Sequence, residues 1–154
     1  IPALRGYIQT KIAQATENNI EFEYHFEGLD KVYIDLSKAT DLVRIVGNIV
    51  DNAFDAVKSN AENIRKVTLI GKLDNHSLVF YIYNNGSPIQ KELLLRIFER
   101  GFSTKKNKEN SGIGLSIVKA LVSKHKGKIE VQSDTDGTSF AVRLPLSPNE
   151  IMET

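Results

Sequence analysis

Residues 42–57 read LVRIVGNIVDNAFDAV. Leu42, Val46, Ile49, Val50, Ala53 and Val57 recur at three- and four-residue steps, which lays them along one face of a helix. That helix is expected over about 38–59, with Asp35 or Ser37 placed to cap its first turn. Asn48, Asn52 and Asp55 fall at steps of four and three on a second, polar stripe, with Asp51 beside it. A helix with so wide an apolar face has to be covered by another layer.

The flanking sequence supplies that layer. Upstream, residues 2–19 read as a helix with Leu4, Ile8, Ile12 and Ala15 on one face. Pro2 suits its first turn and the Asn18-Asn19 pair its end. IEFEYHF (20–26) then alternates apolar and polar residues as a half-buried strand does. Downstream, KVTLIGKL and SLVFYIY form a strand pair around Asp74-Asn75-His76, followed by a short helix over about 90–98. GIGLSIVKALVSKHKG (112–127) is a third long helix, stopping at Gly127. KIEVQS and TSFAVRLP form a closing hairpin around Asp136-Gly137. The implied fold is a two-layer α/β sandwich, a mixed sheet with three main helices on one face, over residues 1–146. Residues 147–154 are expected to fray.

The composition suits one globular domain. Of 154 residues, 41% are hydrophobic and 25% charged, and the formal net charge is +1. That balance gives no electrostatic reason to bind nucleic acid or an anionic membrane. The lack of cysteine excludes disulfides, thiolate metal sites and a cysteine nucleophile. No apolar run approaches the roughly eighteen residues of a membrane helix, and the first residues lack the basic flank and apolar block of a signal peptide. The expectation is an excised soluble domain of a longer protein, monomeric in isolation.

Several short constellations carry chemistry. Residues 99–111, ERGFSTKKNKENS, are almost devoid of apolar content, as a mobile surface loop would be. So long a polar segment inside a compact domain is more often functional than idle. Asn48, Asn52 and Asp55 form either a solvated helix face or a site; asparagine is a mediocre helix former, which weighs for the site. Asparagine amide oxygens are hard neutral ligands, suited to a Mg²⁺ that keeps water and phosphate oxygens. YNNGSPI (83–89) taken alone is a turn. Gly112 and Gly114 stand where a helix N-terminus could approach phosphate, although most such glycine pairs are turns.

The order of these elements is what discriminates. An N-x-x-x-N-A helix, N-x-G after a strand, F-x-x-G-F-S-T-K, G-x-G-L and D-G-T-x-F together resemble the ATP-binding domain of bacterial sensor histidine kinases. The similarity runs from about Ile1 to Pro145. It is nearest to the citrate/C4-dicarboxylate sensor kinases, whose opening L-x-G-x-I-x-x-K-x-x-x-A helix and N-I-E strand look like residues 4–21. The resemblance implies a Bergerat ATP-binding fold with ATP and Mg²⁺ as cofactors. Asn52 would coordinate Mg²⁺, and Asn48 would touch phosphate or metal-bound water, making these two the catalytic pair. Asp55, Asn84, Gly86, Ile89 and Thr138 would line the nucleotide site, with Gly86 admitting the adenine and Thr138 holding its edge. Phe98 and Phe102 would anchor a lid over 99–111, or else pack in the core. Lys105 would reach phosphate from the lid, and Gly112, Ile113, Gly114 and Leu115 would border the phosphates.

Two departures from the family pattern matter. Asn84 stands where an aspartate usually accepts the adenine amino group, so charge assistance is lost. An amide can also flip and donate, which weakens discrimination against guanine. Pro88 stands where a second glycine is frequent, and it stiffens the loop. Hydrolases of this fold place a glutamate at the position of Asn48, which cannot act as a base; intrinsic ATP hydrolysis should be slow.

None of His25, His76 and His125 sits in the helical setting of a phosphoacceptor. The expected partners are therefore ATP and a histidine-containing dimerisation domain upstream, with a response regulator next in line. The expected setting is the cytoplasmic portion of a membrane-anchored sensor, with no direct contact to nucleic acid or membrane. The alternatives are a nucleotide-binding regulatory module that has lost catalysis, and an anti-sigma-factor-type serine kinase of the same fold.

Overall fold

A computed structural model describes residues 1–60, 64–100, 102 and 114–152. Helix α1 (Pro2–Glu17) leads into strand β1 (Ile20–Glu27), and α2 (Leu36–Val57) follows after a single 3₁₀ turn. Strands β2 (Arg65–Asp74) and β3 (Ser77–Asn84) form a hairpin, then come α3 (Lys91–Leu94) and α4 (Gly114–Lys124). Strands β4 (Lys128–Asp134) and β5 (Gly137–Pro145) close the order.

The five strands make one mixed sheet in the order β1-β2-β3-β5-β4. β1 runs parallel to β2, with Ile20 opposite Arg65, and every other pairing is antiparallel. The parallel pair requires a crossover, and α2 supplies it. The three long helices lie on one face of the sheet, with α2 in the middle, packed on α1, α4, β2 and β3.

Asp35 caps α2, its carboxylate accepting the Lys38 N–H at 2.8 Å. Leu42, Ile45, Val46, Ile49, Val50, Ala53, Phe54 and Val57 all lie in the core. The expected apolar face of α2 is therefore present, widened by Ile45 and Phe54. On α1 the buried stripe is Leu4, Ile8, Lys11 and Ala15, while Ile12 is only half-buried. A lysine thus occupies a core position that the pattern of apolar residues alone assigns to Ile12.

Two other expectations are corrected. The helix expected over 90–98 is a single turn, Lys91–Leu94, and turns continue to Arg100. Its apolar residues are consecutive (Leu93, Leu94, Leu95) and give no helical stripe; Leu95 is left exposed. The segment after Pro145 does not fray at 147. Ser147 and Glu150 form a capping box, Val32 bridges Ile151, and the Met152 N–H donates to the Lys31 carbonyl at 2.7 Å. Lys38 Nζ lies 3.0 Å from Glu150. Most of the expected lid, 99–111, lies outside the described residues, as do Lys105, Gly112 and Ile113.

Candidate functional site

The expected site residues that are described come from four elements around α2. Asn48, Asn52 and Asp55 lie on its polar stripe. Asn48 is half-buried, and its Nδ2 donates to the Arg44 carbonyl one turn back at 2.7 Å. That bond fixes the amide and leaves Oδ1 facing α4, where a Cβ on Gly114 would stand 3.1 Å away. Asn52 is half-buried, and its amide makes no hydrogen bond among the described residues. A half-buried amide without a protein partner is free to meet a ligand. Asp55 is exposed and pairs with Lys58 at 3.4 Å.

At the C-terminal end of α2, the loop after β3 comes flush against the last helical turn. A Cβ on Gly86 would stand 2.5 Å from the Ala56 carbonyl oxygen and 3.0 Å from Asn84 Oδ1. Glycine is needed there first for packing on α2. Asn84 is buried at the end of β3, opposite Thr138 on β5, and its Oδ1 accepts the Gly86 N–H at 2.9 Å. Thr138 is buried, 2.7 Å hydroxyl to hydroxyl from Ser133, and Ser133 Oγ accepts the Ile89 N–H at 2.7 Å. Asn84, Gly86, Ile89 and Thr138 are thereby tied into one corner. Gly137, with φ +132°, packs so closely on the Asn84 carbonyl that a side chain is excluded.

Asn85 belongs to the frame rather than the site. Its Oδ1 accepts the Lys66 N–H at 2.8 Å and its Nδ2 donates to the Ile64 carbonyl at 2.6 Å. Phe98 is half-buried, with its ring edge-on to Phe140 at 6.4 Å. Phe102 lies under the Arg96 guanidinium, 4.8 Å from its centroid. Both rings pack on the core, as does Leu115.

The Asn48–Gly114 contact lies midway along α2, and the corner around Asn84 lies at its C-terminal end. The eight helical steps from Asn48 to Ala56 separate them by about 12 Å, with Asn52 midway. Such an arrangement suits an elongated ligand with a flat polar group at one end and oxyanions at the other. A model of the family described as histidine kinase-, DNA gyrase B- and HSP90-like ATPases matches residues 37–148. The chain belongs to that family. A probable C4-dicarboxylate sensor kinase of Halalkalibacterium halodurans is 38% identical over 130 residues, covering 84% of this chain and 23% of the relative. The sensor histidine kinase CitA of Klebsiella pneumoniae is 32% identical, covering 70% of this chain and 20% of that protein. The solved catalytic domain of histidine kinase ThkA superposes with a TM-score of 0.78 at 26% identity, covering 96% of this chain and 92% of that one. The chain thus spans under a quarter of the length of these curated sensor kinases. Among the described residues, no helix is long and apolar enough to cross a membrane.

Sequence reasoning missed two clusters. Tyr7 and Lys11 of α1 meet Asp51 of α2. The signal was the position of Lys11, three residues after Ile8 and four before Ala15 on the apolar stripe. Asp41 is buried and accepts from Lys124 Nζ and lies against His125 Nε2, both at 2.8 Å. The Lys124 hydrogen bond, helped by His125, outweighs burial and holds the Asp41 carboxyl below its ordinary range. His125, just past the end of α4, ties that helix to the second turn of α2.

Proposed function

We propose that this chain is the catalytic domain of a sensor histidine kinase, binding Mg·ATP and donating its γ-phosphoryl group to a histidine on a separate helical domain. The observation that carries this is Asn52: a half-buried amide with no hydrogen-bond partner among the described residues, one turn after Asn48, whose Oδ1 borders the start of α4. The base end is the Asn84–Gly86–Thr138 corner, and the phosphate end is the α4 N-terminus. The family membership and the sensor-kinase relatives support the same reading.

The donor set fits magnesium. Among the described residues, no group of three or more His, Cys, Asp or Glu side chains could hold a metal alone. Mg²⁺ needs no such cage, because it keeps water and phosphate oxygens and takes few protein ligands. Asn52 would supply one amide oxygen, and the ion would neutralise phosphate charge. The chain's own contribution is positioning. Asn48 is held by the Arg44 carbonyl, and the base corner is fixed by its hydrogen bonds. Transfer breaks the bond between the γ-phosphorus and the β–γ bridging oxygen and makes one to an imidazole nitrogen; ADP keeps the electron pair. Positioning and charge neutralisation are most of what this chemistry asks of a protein.

The acceptor would come from outside the described residues. His25 is exposed on β1, His76 sits exposed in the β2–β3 turn, and His125 is engaged by Asp41. The test is calorimetric titration with ATP, with and without Mg²⁺, beside Asn52→Ala. Saturable binding that requires Mg²⁺ and collapses in the variant is expected. No binding at millimolar ATP overturns the reading in favour of a module without catalysis. With a helical acceptor domain supplied, acid-labile phosphorylation is expected; an acid-stable product indicates a serine kinase instead.

A further inference from the structure

The helix carrying Asn48 and Asn52 is gripped on a neighbouring side by two residues of α1. We propose that Tyr7 and Lys11 are positioning residues for the nucleotide site, fixing the Gly47-to-Asp51 turn of α2 and with it both asparagine side chains. The inference rests on the Mg·ATP reading above.

The Tyr7 hydroxyl lies 3.0 Å from the Gly47 carbonyl oxygen and 2.9 Å from Asp51 Oδ1, so one proton serves two acceptors. Gly47 is buried, and a Cβ there would stand 3.1 Å from Tyr7 Cε1; the ring is seated on bare helix backbone. Lys11 is only 5% exposed. Its ammonium pairs with the Asp51 carboxylate, donates to Gln14 Oε1 at 2.8 Å, and stands 4.7 Å from the Phe54 ring centroid. Burial, reinforced by the neighbouring Asp51 charge, raises the Tyr7 pKa far above its ordinary value. Tyr7 therefore stays a donor at any working pH.

Gly47 and Asp51 each immediately precede one of the two asparagines, and they are an i, i+4 pair of the same helical turn. Any rotation of that turn about the axis of α2 swings Asn48 and Asn52 together. A buried charge on an otherwise apolar stripe is a poor stabiliser, and an apolar side chain of similar volume often does as well or better. What the hydroxyl and ammonium provide beyond bulk is direction: they fix α2 at one rotation and one height against α1. Groups one layer behind a metal ligand act in this way.

The test uses the chain itself, as wild type, Tyr7→Phe and Lys11→Met, with Asn52→Ala for comparison. Calorimetry with Mg²⁺ and with a chelator gives the affinity that the metal adds for ATP. In Tyr7→Phe and Lys11→Met, Mg·ATP affinity should fall roughly tenfold or more. The affinity for metal-free ATP should fall by less than the affinity for Mg·ATP, and the thermal midpoint of Tyr7→Phe should stay at the wild-type value. A merely structural role would move the thermal midpoint and both affinities together, and that pattern overturns the proposal. So does a wild type that gains affinity from Mg²⁺ alongside two variants that keep the whole gain. If the wild type itself gains nothing from Mg²⁺, the Mg·ATP reading fails in that first arm and takes this inference with it. Tyr7→Phe removes a single oxygen atom, so it carries the test even if Lys11→Met folds poorly.

Discussion

Asn84 Oδ1 accepts the Gly86 N–H at 2.9 Å, which settles the direction of the Asn84 amide. A flipped amide would set its NH₂ against another donor, so the flip expected from the sequence is blocked. The NH₂ group instead points away from Gly86 and has no partner among the described residues. A purine amino group at that corner meets a donor beside a shared oxygen, whereas a purine carbonyl meets a willing donor. The wild type should therefore prefer ATP over GTP by a margin about tenfold narrower than Asn84→Asp does, since the carboxylate accepts only and carries charge. Competition of GTP against a fluorescent ATP analogue in both proteins measures this. Equal margins would refute it.

Gly86→Ala should damage fold and site together. The new methyl group would meet the backbone carbonyl of Ala56 at 2.5 Å, so the loop has to lift away from α2. Overpacking of this kind costs about 1–3 kcal/mol, readable as a lower denaturant midpoint. Lifting the loop also shifts the N–H that anchors Asn84, so ATP affinity should fall in the same variant.

Asn48→Glu should convert slow turnover into faster hydrolysis. Asn48 has no basic atom, and its NH₂ is already committed to Arg44. A carboxylate at the same place can take a proton from water, a contribution of roughly a hundredfold or more when well placed. Phosphate release in the absence of any acceptor domain is the measurement. A variant that binds ATP but releases phosphate no faster than wild type would show that another group limits hydrolysis.

Asp41 gives the domain an acid-sensitive brace. Its folded-state pKa lies below the unfolded value of about 3.9. Its stabilising contribution is therefore complete above that value and is lost as the pH falls through the folded one. Asp41→Asn should lower the thermal midpoint at neutral pH, and the gap from wild type should narrow as the pH drops below about 4. A gap that stays constant across that range would mean that the Lys124 and His125 contacts contribute nothing through charge.

How much was legible in the sequence depended on whether a residue's neighbours were local. The apolar face of α2 and the hairpin of β2 and β3 follow from spacing alone, because period reports which face is buried. The start of α2 at Asp35 follows from capping chemistry, whereas after α4 the left-handed residue is Lys126, and Gly127 is needed for its close packing on the Arg143 carbonyl. The grouping of Asn48, Asn52, Asn84, Gly86 and Thr138 needed the family resemblance, since nothing local in the sequence brings the end of β3 and the start of β5 together beside α2. Lys11 escaped because a buried ammonium is the exception to the burial trend. The ties at 147–152 escaped because their partners, Lys31, Val32 and Lys38, lie more than a hundred positions earlier.

Those last ties redraw where the folding unit stops. Residues 147–152 act as a clasp across the entrance to α2, holding the segment on which Leu29 and Val32 turn inward. The Lys38–Glu150 pair extends the clasp to the first turn of α2 itself. A domain trimmed to the last sheet residue would keep every strand, yet it would leave the start of α2 without its outer seam. Any segment joined after Met152 would therefore enter the fold beside the N-terminus of α2 rather than at a loose end.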